Sequence, residues 1–275
     1  MEEQYGGLDK RLRRRRLLIF LVLLAVVVVI TVAVVLGVTL RPRTNEVKAT
    51  FLERCQKFKD YNCEKIWDAF RQAYVGRDSC NVPVGAYDAL FLEAPFVPSC
   101  NRVMLWSKTK DVVHAFTAKR DCYVTLEDTM LGSVLDGLTW CGKEGSNETF
   151  TTDCPGWTEC ENNPVRSFWN QASAGFANAA CGDVTVLLNG SIPKPVDPMS
   201  IFASIEVNRL HYNRVKKLKV VLVMQENPVA NCKSDSLVAL EAKLDPGMEY
   251  NCKEVPEAQI EECGSDPEKP CGSCW

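Results

Sequence analysis

Three acidic side chains lie in an apolar stretch near the middle of the chain, TLEDTMLGSVLDGLTWCG, residues 125–142. Glu127, Asp128 and Asp136 stand there among leucine, methionine, valine and tryptophan, a composition typical of a partly buried segment. An ionised carboxylate in such a place is costly unless it is paired or used. The stretch is therefore a candidate site for acid–base or cation-stabilising chemistry.

A simpler reading of the same stretch is structural. Glu127 and Asp128 fit the first turn of a helix that Thr125 caps, where acids complement the helix dipole. In a continuous helix, at about 100° per residue, Glu127 and Asp136 would face opposite sides. If both acids serve one site, we expect the helix to stop or bend, at Gly132 or Gly137.

Other catalytic chemistries find little support in the sequence. The two histidines, His114 and His211, have no companion ligands at metal spacing, so we expect both to be structural or surface residues and predict no metal site. The sequence contains no Gly-x-Ser-x-Gly nucleophile motif, no Gly-rich phosphate loop and no Asp-x-Asp motif. Carboxylates and aromatic side chains remain as the candidate site.

The cysteines indicate the compartment. There are 14 of them, all between Cys55 and Cys274, in a chain of 275 residues that is long enough to form a core without cross-links. An even number of cysteines spread in this way is typical of an oxidising environment.

A hydrophobic segment before the cysteines predicts a membrane anchor. Residues 17–40 are 24 uncharged, mostly apolar residues, enough to span a bilayer. The alternative is a cleaved signal peptide, but the run is longer than a signal h-region and no small-x-small site follows. Residues 10–16 carry six positive charges, so we expect a cytosolic tail (1–16), an anchor (17–40), a stem (41–50) and an extracellular domain (51–275) at the plasma membrane.

Two further observations concern the outer part of this type II chain. Asn147 and Asn189 begin N-x-S/T sequons and are predicted glycosylation sites on exposed turns. Residues 17–275 carry 26 Lys and Arg against 32 Asp and Glu, so their net charge of −6 offers no electrostatic footprint for nucleic acid.

The periodicity of the extracellular part predicts an α/β (α+β) fold. Helical spacing occurs in NEVKATFLERCQKF, CEKIWDAFRQAYV and SKTKDVVHAFTAK, and another helix is expected from Pro164, capped by Asn163. Short β-branched runs predict strands at 102–106, 184–190, 201–207 and 218–224, and SDSLVALEAKL a helix between strands. We therefore expect a helical N-terminal half (about 51–181) packed on a small C-terminal half (about 182–275) with a mostly parallel sheet flanked by helices.

Several motifs together resemble the ADP-ribosyl cyclase/cyclic ADP-ribose hydrolase family. They are NRVMLWSK, TLEDTMLGSVLDGLTWCG, ENNPVRSFWNQAS, VLLNGS and FASIEV, in the family's order and within about 48–271. With its N-terminal anchor the chain is similar to the vertebrate type II membrane NAD glycohydrolases. The resemblance implies cleavage of NAD to ADP-ribose and cyclic ADP-ribose, with hydrolysis of the cyclic product and base exchange of NADP as further activities. NAD and NADP would be substrates, and no cofactor is implied.

The resemblance also assigns roles to residues. Glu206 would be the catalytic carboxylate, although its pattern alone fits an exposed residue of a strand. Glu127 and Asp136 would act on the nicotinamide side. Trp106 and Trp169 would form pocket walls, whereas Trp67, Trp140 and Trp157 are expected in the core. The residues implied for the diphosphate are Ser107, Lys108, Ser173 and Phe202.

Two positions depart from the family's pattern. Lys108 stands where an arginine is usual, so a point charge replaces a bidentate fork. Ile201 stands where hydrolase-dominant vertebrate members tend to have threonine. We hypothesise that this apolar side chain favours the folded adenine and raises the cyclic share of the product.

The resemblance implies a set of disulfides as well. The implied pairs are Cys55–Cys63, Cys80–Cys160, Cys100–Cys181, Cys141–Cys154, Cys232–Cys252 and Cys263–Cys271. Cys122 and Cys274 remain, and we expect them to form a seventh bridge.

Two other classes of function stay open at this point. A cell-surface receptor or adhesion domain on the same scaffold would be expected to have lost some of Trp106, Glu127, Trp169 and Glu206, and all four are present. A glycosyltransferase would share only the topology. The bilayer is the expected partner of the anchor, and a homodimer or a receptor partner is left open.

Overall fold

A four-stranded parallel sheet lies at the centre of the fold. In order across the sheet the strands are β1 (Met104–Ser107), β2 (Gly182–Asn189), β3 (Val215–Met224) and β4 (Glu249–Pro256). The runs 184–188 and 220–223 are buried without a break, as expected of strands covered on both faces. Strand β1 comes from the predicted helical half and pairs with β2, so the two halves share one sheet.

Residues 44–275 contain eight α-helices. They are α1 (Thr44–Cys55), α2 (Cys63–Gln72), α3 (Asp88–Glu93), α4 (Lys110–Thr117), α5 (Met130–Leu135), α6 (Pro164–Ala179), α7 (Asp235–Lys243) and α8 (Glu257–Ser265). The helical patterns predicted α1, α2, α4, α6 and α7, which are confirmed. Helix α6 begins as its sequence indicates, because Asn163 Oδ1 accepts a hydrogen bond from the backbone N–H of Arg166 at 2.9 Å.

The computed structural model describes residues 21, 23–31 and 44–275. The stretch 23–31 is helical, and no helix of the described residues has both the length and the apolarity to cross a membrane. The predicted tail (1–16), most of the predicted anchor (17–40) and residues 41–43 lie outside the described residues. Residues 44–275 form one compact unit, and Val47 of α1 is buried in its core.

The segment 201–207 is not a strand as predicted. Phe202–Glu206 form a π-helical turn, and Val207–Arg209 continue it as a 3₁₀ turn. The buried side chains are Phe202, Ala203, Glu206 and Val207, a helical spacing that two-residue alternation does not produce. Periodicity does not distinguish helix from strand in so short an apolar run.

The helix in the opening stretch begins later than predicted. It starts at Met130, and Thr129 caps it by accepting a hydrogen bond from the N–H of Gly132 at 3.2 Å. Asp128 has a structural role, but in a preceding turn, where its Oδ2 accepts from the N–H and the hydroxyl of Thr125 at 2.9 and 2.8 Å. The acids therefore precede and follow the helix.

All 14 cysteines form disulfides, and two predicted pairs are wrong. The pairs Cys55–Cys63, Cys80–Cys160, Cys100–Cys181, Cys141–Cys154 and Cys232–Cys252 are confirmed. Cys263 pairs with Cys274, not Cys271, and Cys122 pairs with Cys271, not Cys274. The reason is a 3₁₀ turn at Cys271–Ser273, after which Cys274 is fully buried beside the buried Cys263, whereas Cys271 stays partly exposed next to Cys122.

Candidate active site

An open pocket of about 440 Å³ lies where β1 meets the π-helical turn. All nine residues predicted for catalysis or substrate binding line it, and so does Ile201. The nine are Glu206, Glu127, Asp136, Trp106, Trp169, Ser107, Lys108, Ser173 and Phe202. The pocket includes the carboxyl end of β1, the edge at which parallel sheets usually bind ligands.

Glu206 is the most deeply buried acid of the pocket, with 7% of its surface exposed. Burial raises the pKa of its carboxyl group to about 8; the hydroxyl of Ser173 opposes the rise, and the nearby carboxylate of Glu127 adds to it. Among residues 44–275 no lysine, arginine or histidine forms an ion pair with Glu206. A carboxylate in this environment interacts strongly with a cation brought next to it.

Glu127 is held by the wall of the pocket. Its Oε2 accepts a hydrogen bond from Trp106 Nε1 at 3.2 Å, while Oε1 accepts none from the part of the chain that the structure describes. Gly132 permits this placement, because a Cβ at that position would lie 1.9 Å from the carbonyl oxygen of Leu126 and 2.8 Å from the Cα of Glu127. Helix α5 therefore packs directly on the backbone that carries Glu127.

Asp136 is fixed through its backbone and paired through its side chain. It follows the last residue of α5, and Arg54 of α1 donates to its carbonyl oxygen at 2.8 Å and to that of Val134 at 3.1 Å. Its carboxylate lies 3.2 Å from Lys110 Nζ. Gly137, with φ of +71°, then turns the chain away. The predicted break between Glu127 and Asp136 thus exists, since α5 ends before Asp136.

Three tryptophans line the pocket, one more than predicted. Trp106 and Trp169 are half-buried pocket residues, and Trp67 and Trp140 are buried in the core as expected. Trp157, which was predicted to be a core residue, is 43% exposed and lines the pocket. It lies in an irregular segment between Cys154 and Cys160, whose composition carries no periodic signal from which its exposure could be read.

The residues after β1 have an unusual backbone. Lys108 has φ of +60°, a left-handed conformation that non-glycine residues adopt rarely and usually at functional sites. Its carbonyl oxygen accepts a hydrogen bond from Asn189 Nδ2 at 3.1 Å. Ser107, Ser173 and Phe202 are buried on the pocket wall. The strained turn brings the exposed ammonium of Lys108 to the mouth of the pocket.

The two sequons differ in their surroundings. Asn147 is exposed, as predicted. Asn189 is the last residue of β2 and half-buried, and its amide both donates to Lys108 and accepts from the N–H of Ser191 at 2.7 Å. The prediction of an exposed turn is therefore wrong for Asn189. Its side chain instead joins the end of β2 to Lys108, the residue after β1.

The sequence missed further pocket residues. They include, besides Trp157, Lys110, Asp197 and Met199, the last with 84% of its surface exposed. For Lys110 a signal existed, since it begins the helical pattern directly after the WSK motif. Within the residues that the structure describes, no three His, Cys, Asp or Glu side chains come together in a way that could hold a metal ion.

Comparisons with known proteins agree with the geometry. The ADP-ribosyl cyclase family matches residues 44–272. The mouse (Mus musculus) ADP-ribosyl cyclase/cyclic ADP-ribose hydrolase 1 is 34% identical over 87% of this chain and 87% of its own length. The ADP-ribosyl cyclase/cyclic ADP-ribose hydrolase of Aplysia kurodai is 33% identical over 79% of this chain and 82% of its own.

Solved structures are similar over the same region. Porcine CD38 complexed with a covalent intermediate superposes with a TM-score of 0.72 at 34% identity, covering 76% of this chain and 96% of the porcine chain. The Aplysia cyclase complexed with substrate NGD and product cGDPR gives a TM-score of 0.72 at 29% identity, covering 81% and 94% of the two chains. On the family match and these identities, the chain belongs to the ADP-ribosyl cyclase family.

Proposed function

We propose that this chain cleaves the nicotinamide–ribosyl bond of NAD and releases ADP-ribose and cyclic ADP-ribose. The observation that carries the proposal is the buried carboxylate of Glu206, without a cationic partner among residues 44–275, in a pocket lined by Trp106 and Trp169. The relatives in solved complexes hold a covalent intermediate or a nucleotide substrate and product, which supports nucleotide chemistry for this site.

The charge of the substrate matches the charge of the pocket. The nicotinamide of NAD is a pyridinium cation, and a cation beside Glu206 lowers the pKa of that carboxyl group from its value of about 8 in the empty protein. Substrate binding therefore favours the ionised form that the reaction needs. The flat faces of the tryptophans exclude water and attract the cation.

The bond between ribose C1′ and the pyridinium nitrogen then breaks, and its electron pair goes to the nitrogen, so nicotinamide leaves as a neutral base. No general acid is required for this step. The ribosyl centre becomes an oxocarbenium-like cation, which the carboxylate of Glu206 stabilises or traps as an ester. Attack by water gives ADP-ribose, and attack by adenine N1 of the same molecule gives cyclic ADP-ribose; each path releases one proton.

The remaining pocket residues bind and orient the substrate. Glu127, whose Oε1 is not hydrogen-bonded within the described chain, and Asp136 accept hydrogen bonds from the leaving carboxamide. Ser107, Lys108, Ser173 and the backbone of Phe202 hold the diphosphate. Ile201 lines the pocket. Its hydrocarbon side chain favours attack on the intermediate by adenine N1 over attack by water. Hydrolysis of cyclic ADP-ribose and base exchange of NADP would use the same intermediate.

We further propose that the chain is a type II ectoenzyme of the plasma membrane, without a cofactor. The seven disulfides support an oxidising compartment. The apolar run at 17–40, preceded by six positive residues, supports an anchor with a cytosolic N-terminus.

Chromatography of products tests the proposal. The full-length chain, produced in a eukaryotic cell membrane, is incubated with NAD beside Glu206→Gln and Asp128→Asn. We expect nicotinamide, ADP-ribose and cyclic ADP-ribose from the parent, a loss of at least about 1,000-fold in Glu206→Gln, and little change in Asp128→Asn, whose side chain lies outside the pocket. A folded parent that releases no nicotinamide from NAD or NADP would contradict the proposal and favour a binding protein.

A further inference from the structure

One face of helix α4 contacts all three acids of the opening stretch. Lys110, His114 and Thr117 are spaced four and three residues apart, so they share one side of the helix. Lys110 Nζ lies 3.2 Å from Asp136, His114 Nε2 lies 4.0 Å from Glu127 Oε2, and Thr117 Oγ1 lies 3.4 Å from Asp128. The opposite side of α4, with Val112, Val113 and Phe116, is buried in a hydrophobic cluster. The helix therefore presents a row of donors to these acids.

His114 has the least satisfied polar atom of the row. Its Nε2 is buried and has no hydrogen-bond partner in the described residues. Its ring stands edge-on to the indole of Trp106, with centroids 5.8 Å apart and planes at 73°. A buried polar nitrogen without a partner is unfavourable, and a carboxylate oxygen, Oε2 of Glu127, lies 4.0 Å from it.

The same oxygen already accepts the hydrogen bond of Trp106. Two ring nitrogens, Nε1 of Trp106 and Nε2 of His114, thus lie on the protein side of Oε2 of Glu127, at 3.2 and 4.0 Å. The separation of 4.0 Å is too long for a hydrogen bond, but contacts of this kind in ligand-free sites often shorten when the substrate is bound. His114 does not line the pocket, so it acts on the substrate only through its neighbours.

We propose that His114 is a positioning residue for the reaction, its Nε2–H closing onto Glu127 Oε2 when the nucleotide binds. Trp106 and His114 then hold Oε2 together and leave Oε1 directed at the leaving carboxamide. This role rests on the proposed function, since it concerns the orientation of the leaving group. If His114 had only a structural role, its substitution would not change the steps in which Glu127 takes part.

A double-mutant cycle in the full-length enzyme tests the role. His114→Phe keeps the aromatic ring against Trp106 but removes the donor, whereas His114→Gln keeps an N–H near the position of Nε2. We expect His114→Phe to lower kcat for nicotinamide release by about 3- to 10-fold with KM changed less than about 2-fold, and His114→Gln to restore most of the loss. In a Glu127→Leu background, which offers no acceptor to either ring, His114→Phe should have no further effect.

Thr117→Val is the matched control, because Thr117 contacts Asp128 from the same helix face and Asp128 lies outside the pocket. It should leave kcat unchanged. Equal losses from His114→Phe in the parent and in the Glu127→Leu background would show that the two residues act independently and would overturn the proposal. An unchanged kcat in His114→Phe would overturn it as well.

A spectroscopic test does not depend on turnover. The chain has two histidines, so a ¹⁵N-histidine-labelled sample gives two imidazoles, and His211→Gln assigns them. In the inactive Glu206→Gln protein, NAD should shift the Nε2 signal of His114, and Glu127→Leu in addition should abolish this shift. If NAD shifts the signal equally with and without Glu127, the proposed contact is wrong. If the parent releases no nicotinamide but the shift behaves as expected, the proposed function fails and the contact stands.

Discussion

The pocket places its acids in two unlike surroundings. Glu206 stands on a π-helical turn, 7% exposed, with no ion pair among the described residues and a pKa raised to about 8. Glu127 and Asp136 stand at the two ends of a short helical segment; one is hydrogen-bonded to Trp106 and the other is paired with Lys110. In the proposed mechanism the first carboxylate stabilises a cation, whereas the other two are held in place by their partners. The environment, not the residue type, separates a reacting acid from orienting ones.

The difference predicts a large effect of Glu206 on stability. A carboxyl group with a raised pKa stabilises the fold only while it is protonated, so this contribution is complete below pH 4.5 and is lost as the pH rises to about 8. Glu206→Gln keeps the neutral form at every pH. Its free energy of unfolding should equal that of the parent near pH 4 and exceed it by about 3 to 5 kcal/mol between pH 7 and 8. Denaturant unfolding with intact disulfides measures this, and a constant difference across pH would contradict it.

The same carboxyl group should govern the pH dependence of catalysis. In the proposed mechanism Glu206 acts in its ionised form, so kcat/KM should rise about tenfold per pH unit up to about pH 8 and then level off. The rise in kcat should end at a lower pH, because the bound pyridinium lowers the pKa of Glu206. Initial rates from pH 5 to 9 check both curves. A fall in kcat/KM above pH 8 would instead identify Glu206 as a general acid.

The position of Glu127 depends on how closely α5 packs on its backbone. Gly132→Ala places a Cβ 1.9 Å from the carbonyl oxygen of Leu126, and this rigid backbone must move. We expect a loss of about 1 to 3 kcal/mol in stability and a reduced kcat, since Glu127 shifts with the backbone. Gly175→Ala in α6 is the control, because its Cβ would lie 3.3 Å from the ring of Phe96. Thermal unfolding should separate the two variants.

A smaller effect is expected at Ile201, which lines the same pocket as the three acids. Ile201→Thr introduces a hydroxyl beside Phe202 in the pocket. It should lower the ratio of cyclic ADP-ribose to ADP-ribose by a few fold, about 1 kcal/mol in partition, with nicotinamide release little changed. Product chromatography at equal turnover measures this ratio. An unchanged ratio would remove Ile201 as the determinant.

The smallest effect should come from the exposed ion pair. The side chains of Lys110 and Asp136 are 51% and 42% exposed, so Lys110→Met should change the free energy of unfolding by less than about 1 kcal/mol. Arg54→Met should destabilise the protein more, because Arg54 donates to the carbonyl oxygens at the end of α5. If Lys110→Met lowers the free energy of unfolding more than Arg54→Met does, the side-chain ion pair and not the backbone hydrogen bonds holds Asp136.

Much of the fold follows from sequence patterns. The run at 218–224 predicted a strand covered on both faces, and Asn163 with Pro164 predicted the start of α6, because these signals are local. The turn at 202–206 was assigned to a strand because a short apolar run satisfies both periods. The bridges of Cys122, Cys263, Cys271 and Cys274 depend on which thiols are adjacent after folding, which spacing does not contain.

The sequence predicted some features of the site and not others. The motifs carried Glu206, Glu127 and the two tryptophans into one pocket, as the structure shows. They did not give the helical context of Glu206, the exposure of Trp157 or the contact of His114 with Glu127. The contact of His114 with Glu127 depends on segments that are distant in sequence, whereas Glu206 and Trp157 lie in short segments whose periodicity is ambiguous or absent.

The fully parallel sheet also limits when this protein can fold during its synthesis. Every strand pairs with a partner far along the chain, β1 with a strand that begins at Gly182, so none of the sheet can form on a ribosome until most of the domain has been synthesised. Cys80 and Cys100 are synthesised 80 and 81 residues before their partners, whereas Cys55 and Cys63 are separated by 8 residues and can pair at once. Pairing of Cys80 with Cys100 before their partners are synthesised is therefore a kinetic trap. Yield in a secretory cell should depend on disulfide isomerase capacity more than on the stability of the finished fold.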